Sequence, residues 1–76
     1  MSLGYSRRLY ELNRRAPSTL LGVRLGRVCI EHDVPVMEVA EEMGVSRQTV
    51  YNWFVGTTNP RPWLIAAIAS YINSFE

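Results

Sequence analysis

Apolar positions along this chain fall at helical spacing, and no stretch reads as a strand of more than a few residues. Leu21, Leu25, Val28, Cys29 and His32 lie at i, i+4, i+7, i+8 and i+11, which is one face of a helix. Ser18 or Thr19 can cap that helix after Pro17. Asp33-Val34-Pro35 ends it at about His32, because proline disfavours helical backbone in the residue before it. A short second helix follows, with Val36, Val39, Ala40 and Met43 inward and Glu38, Glu41 and Glu42 outward. Gly44 closes it, since the left-handed cap penalises a β-carbon. Ser46 opens a third helix as N-cap, its hydroxyl placed to accept from the amide of Gln48 or Thr49. In that helix Val50, Trp53 and Phe54 point inward, and Arg47, Gln48, Thr49, Tyr51, Asn52 and Val55 do not. Gly56 stops it, and residues 57–62 read as a loop. A last helix runs from Pro62 to about Ser74, with Leu64 or Ile65, Ile68 and Ile72 as its core stripe.

Residues 1–17 stand apart as a polar, basic segment before a main unit of residues 18–76. Tyr5, Leu9, Tyr10 and Leu12 support a short helix from about Ser6 to Asn13, and an arm that orders only on binding fits equally well. The expected fold is all-α, a compact bundle of about five short helices. A chain of 76 residues supports one hydrophobic core, and its 47% apolar content is that of a folded domain. One cysteine excludes an internal disulfide, so packing or a partner must hold the fold. The mostly apolar run Trp63 to Ile72 is about half a bilayer span, so no membrane segment is expected. The arginine-rich N-terminus has no apolar core and does not read as a secretory signal, which makes the cytoplasm the expected compartment.

Charge changes this picture more than composition does. Residues 1–28 carry Arg7, Arg8, Arg14, Arg15, Arg24 and Arg27 against Glu11, a net +5. Residues 29–45 carry Glu31, Asp33, Glu38, Glu41 and Glu42 with no base, a net −5. Arg47 and Arg61 against Glu76 bring the whole chain to +1. Such polarity presents a basic face to a polyanion despite a near-neutral total, although acids that simply coat a solvated helix give the same numbers.

The segment from Val36 to Val55 has the spacing of a helix-turn-helix. Ala40 stands where two helices must cross closely, Gly44 makes the tight turn, Val45 plugs the corner and Val50 anchors the second helix on the first. The geometry requires small, glycine and apolar residues in that order. From Leu20 to Ile72 the chain closely resembles the lambda repressor and Cro family: Trp53, Gly56 three residues later, Pro60 four after that, and the core pair Ile68-Ala69 follow its pattern. The resemblance implies a five-helix bundle that binds double-stranded DNA as a transcriptional regulator, with the helix from Ser46 to Val55 in the major groove. On that alignment Arg47, Gln48, Thr49 and Asn52 are the base-contacting positions. Gln48 and Asn52 offer a paired donor and acceptor to adenine, and Arg47 suits guanine or a phosphate. Ser46, Tyr51, Thr57, Thr58, Asn59 and Arg61 are the backbone-contacting positions, the loop working through its amides. Arg7, Arg8, Arg14 and Arg15 add arm contacts. The chain departs from the family where Pro35 and Val36 replace a capping serine and a phosphate-binding glutamine. It departs again where Cys29 and Phe54 replace an arginine–glutamate pair, an exchange that places the two side chains in one contact or against one neighbour.

Other chemistry is poorly supported. Cys29 and His32 are the only soft metal ligands, and two do not make a structural zinc site, so no metal or other cofactor is expected. No pair of carboxylates and no serine–base arrangement suggests catalysis, and no small-molecule ligand is inferred. The last helix carries more apolar surface than one buried face needs, in Trp63, Leu64 or Ile65, Ala66, Tyr71 and Phe75, which predicts a homodimer through residues 63–76. The competing functional class is a protein-interaction module, an adaptor or antitoxin-like subunit that keeps the helix-turn-helix fold.

Overall fold

The computed structural model describes residues 5–75. Its helices are α1 (Arg7–Arg15), α2 (Leu21–Glu31), α3 (Val36–Met43), α4 (Arg47–Val55) and α5 (Pro62–Asn73), and no strand occurs among the described residues. The all-helical bundle expected from the periodicity is the one observed. Its centre is α2, which packs against α1, α4 and α5, while α3 packs against α4 and α5. Val23, Leu25, Cys29 and Ile30 of α2 are buried together with Val39, Val50, Trp53, Phe54, Ile68 and Ile72.

The α2–α4 crossing depends on two glycines one turn apart. A β-carbon on Gly22 would lie 2.7 Å from Trp53 Cβ and 2.9 Å from the Trp53 carbonyl oxygen. One on Gly26 would lie 2.6 Å from Asn13 Nδ2 and 2.8 Å from Phe54 Cγ. Both separations are shorter than atoms tolerate, so any larger residue must push α4 off α2. Ala40 is also buried, on the inner face of α3. Gly44 then reverses the chain at φ +69°, its amide donating to the carbonyls of Ala40 and Glu41. No side chain crowds it, so the left-handed backbone alone calls for glycine there.

Residues 7–15 form a helix that is part of the core. Ser6 caps it by accepting from the Leu9 amide at 3.1 Å. Tyr5, Leu9 and Asn13 lie at i, i+4 and i+8 and are buried, Asn13 to 1% exposure. The Tyr5 hydroxyl donates to the Val34 carbonyl, and its ring centroid lies 6.2 Å from that of Phe54. Arg27 closes the other end of α1, its Nη2 donating to the carbonyls of Asn13, Arg14 and Ala16 at 3.4, 3.2 and 3.0 Å.

Two local expectations change, and one open alternative is resolved. Neither Ser18 nor Thr19 caps α2, because residues 17–20 close their own turn, Leu20 N donating to Pro17 O at 3.2 Å, and Leu20 becomes an N-cap without a side-chain bond. His32 leaves the buried face and is exposed, its ring 5.1 Å from that of Phe75. Between the two candidates for the α5 stripe, Leu64 is half-buried and Ile65 is 48% exposed.

Candidate nucleic-acid interface

The outward face of α4 is organised by its cap. Ser46 Oγ accepts from the Thr49 amide at 3.1 Å and lies 2.9 Å from Thr49 Oγ1. The Thr49 hydroxyl is therefore engaged in holding the helix start, and Thr49 itself is half-buried. The amides of Arg47 and Gln48 take no helical partner, as the first amides of any helix do not, so this end carries partial positive charge. Arg47, Gln48 and Tyr51 are exposed, and Asn52 and Val55 are half-buried beside them. Gln48 Nε2 donates to Asn52 Oδ1 at 3.1 Å, so the two amides expected to read bases form one hydrogen-bonded pair. The pair leaves Gln48 Oε1 as an acceptor and Asn52 Nδ2 as a donor.

The loop after α4, whose amides are expected to clamp phosphate, closes on the end of its own helix. Gly56 turns left-handed at φ +82°, and the amides of Thr57 and Thr58 both donate to the Asn52 carbonyl, at 2.9 and 3.4 Å. A helix end must satisfy its last carbonyls, and these two amides do so. Thr57 and Thr58 are exposed, as are Asn59 and Arg61 beside them. At the start of α3, Pro35 has no N–H and Val36 is buried, so neither supplies a polar side chain.

A groove of about 600 Å³ runs between the α3–α4 turn, α4, the loop and the start of α5. Thr49, Asn52, Thr58, Asn59, Arg61 and Trp63 share its wall. Arg7, Arg8, Arg14 and Arg15 are exposed on α1, with Arg14 stacked over the Tyr10 ring at 5.7 Å. The end of α1 lies near the end of α4: a β-carbon on Gly56 would sit 3.3 Å from Leu20 Cδ1 and 3.5 Å from Ala16 Cβ. Glu38, Glu41 and Glu42 gather with Tyr71 around a separate groove of about 310 Å³.

Residues 37–74, half of the chain, match the sequence profile of the helix-turn-helix family. The chain belongs to the lambda repressor/Cro-like helix-turn-helix family. The family is one of DNA-binding regulators, and α3, Gly44 and α4 are its signature unit in this chain. No curated protein and no solved structure gives a significant match.

Outside the matched segment, α1 and α2 supply what the family unit rests on. Asn13 Nδ2 donates to the Phe54 carbonyl at 2.7 Å and to the Val23 carbonyl at 3.2 Å, tying α1 to the last turn of α4. Asn13, Gly22, Gly26 and Arg27 have this supporting role, which periodicity in apolar residues does not reveal. The one signal in the sequence is that Asn13 continues the i, i+4 register of Tyr5 and Leu9. Cys29 and Phe54 are both fully buried in the same core cluster, which also holds Tyr5. Burial, and to a lesser degree the charge of Glu38, pushes the Cys29 thiol up to about 12, so it packs as a neutral group. Among the described residues no group of three or more histidine, cysteine or acidic side chains could hold a metal ion, and no helix is long and apolar enough to cross a membrane.

Proposed function

We propose that this chain is a sequence-specific transcriptional regulator of repressor or Cro type that lays the helix Ser46–Val55 in the major groove of double-stranded DNA. The observation that carries the reading is the outer face of α4, where Arg47 and the bonded Gln48–Asn52 pair stand side by side with no acid among them. Arg47, Gln48 and Asn52 then read base edges, with Thr49 at the groove wall beside them. Ser46, Tyr51, Thr57, Thr58, Asn59 and Arg61 meet the sugar–phosphate backbone, and Arg7, Arg8, Arg14 and Arg15 add charge from α1. The proposal is one of binding in the cytoplasm, with no catalytic step, cofactor or metal.

The protein acts in this reading as a homodimer through residues 63–76. From Pro62 to Phe75 there is no charged residue, and Ile65, Ala66 and Ala67 leave an apolar patch exposed on α5 beyond the groove-lining Trp63. Selection of bound sites from random duplexes tests both parts. Recovery of two inverted half-sites about 10 base pairs apart is the expected result for a two-fold dimer. Absence of any enriched sequence would refute the reading and favour the protein-interaction module, which the neutral loop Thr57-Thr58-Asn59 also suits. A sedimentation mass of one chain at high micromolar concentration would refute the dimer.

A further inference from the structure

We propose that the groove between α4 and α5 seats one sugar–phosphate strand of the DNA, and that Trp63 is a backbone-contacting residue forming its outer wall. This deepens the DNA-binding reading and rests on it. Trp63 is 75% exposed, the largest exposure among the big apolar side chains of the described residues, yet it lines this groove with Asn52 and Thr49 of α4. The groove is therefore continuous with the face that presents Gln48 and Asn52, and a strand lying beside that face enters it. Among the described residues Arg61 is the only formally charged one in the groove wall, and it is positive. A strand of alternating phosphate and deoxyribose needs a cation and an apolar plate in close succession, and Arg61 and Trp63 are two residues apart. The indole face packs on the sugar while Nε1–H donates to a phosphate oxygen. With the amides of Thr57 and Thr58 turned to the Asn52 carbonyl, more of the gripping falls to side chains.

The competing use of Trp63 is burial against a second copy of the chain, and intrinsic fluorescence separates the two. Trp53 is 2% exposed, so a collisional quencher such as acrylamide reports almost entirely on Trp63, and Trp63→Phe supplies the Trp53 baseline. Wild-type protein is titrated with a short mixed-sequence duplex at low salt, since a backbone contact does not depend on sequence. Quenching should fall severalfold on binding. Trp63→Ala should weaken binding to every duplex by about tenfold, the scale of removing one aromatic side chain that packs on nucleic acid. Its salt slope should stay unchanged, whereas Arg61→Gln should shallow the slope by about 0.9. Duplex binding that leaves Trp63 as quenchable as before, or Trp63→Ala with wild-type affinity, overturns the proposal alone. Shielding that grows with protein concentration in the absence of DNA overturns it in favour of the second copy. Wild-type protein that binds no duplex overturns this proposal together with the DNA-binding reading.

Discussion

Gly26→Ala is the sharpest test of how the recognition helix is held. In an exposed helix interior the change gains about 1 kcal/mol, because alanine loses less backbone entropy than glycine. At Gly26 the new β-carbon would meet Asn13 Nδ2 at 2.6 Å and Phe54 Cγ at 2.8 Å. Both neighbours are buried, so Asn13 must turn aside and Phe54 must back away with α4. The Asn13 amide would then lose the 2.7 Å bond to the Phe54 carbonyl, a C-terminal helix carbonyl with no helical partner of its own. Overpacking costs about 1–3 kcal/mol, and a buried carbonyl left unpaired costs about 1–3 kcal/mol more. After the propensity gain the net loss is about 1–5 kcal/mol, against a total of roughly 4–11 kcal/mol for a domain this small. Urea melts followed by far-ultraviolet circular dichroism should show a lower midpoint with an unchanged slope. Because Asn13→Ala removes one of the two clashes and already lacks the amide bond, the double variant Gly26→Ala/Asn13→Ala should lose less than the sum of the singles. A midpoint for Gly26→Ala at or above wild type would refute the close crossing.

Cys29→Arg should cost about 3–5 kcal/mol by burying an unpaired charge, and adding Phe54→Glu should recover part of it; additive losses in denaturant curves would reject a shared environment around Tyr5. Because the folded thiol of Cys29 keeps its proton to about 12 while the unfolded one loses it near 9, its contribution to stability is whole below pH 9 and is lost as the pH rises from there toward 12. Cys29→Val should move the onset of that fall upward, and an unmoved onset in thermal melts would assign the alkaline loss to other groups. Gln48→Ala should cost about 1–3 kcal/mol on the selected site and little on random DNA. Asn52→Ala should not add fully to it, since one amide holds the other, and full additivity in fluorescence anisotropy would dissolve the pair. Replacing Arg7, Arg8 and Arg15 by glutamine should shallow the salt slope by about 0.9 for each arginine that touches a phosphate, and an unchanged slope would remove α1 from the interface. Substitution is the clean form of that test, because deleting residues 1–15 would take Tyr5, Leu9 and Asn13 out of the core.

The turn at the heart of the motif was legible from the residues alone because the forces that make it act over a few positions. A left-handed backbone at +69° selects glycine at residue 44 whatever surrounds it, and the Ser46 cap is completed three residues away. The same short range made Gly56 readable as a stop and Val50, Trp53 and Phe54 readable as an inner face. Tertiary structure alone decided what the remaining groups do, since their partners lie far along the chain. Gly22 and Gly26 look like weak points in a helix until α4 lies across them, where their lack of a side chain becomes the condition for close packing. Asn13 looks like one more polar position on a basic segment, but its partners are 10 and 41 residues away. Arg27 counts toward a basic face in the sequence and is turned inward to close α1. Thr57 and Thr58 suggest a phosphate-binding loop, and the Asn52 carbonyl at the end of α4 takes bonds from both of their amides. Trp63 belongs by pattern to the apolar side of α5, and only the packing of α5 beside α4 brings it to the groove. Caps and turns are set by backbone torsions within one helical turn, whereas a side chain's role depends on which distant surface reaches it.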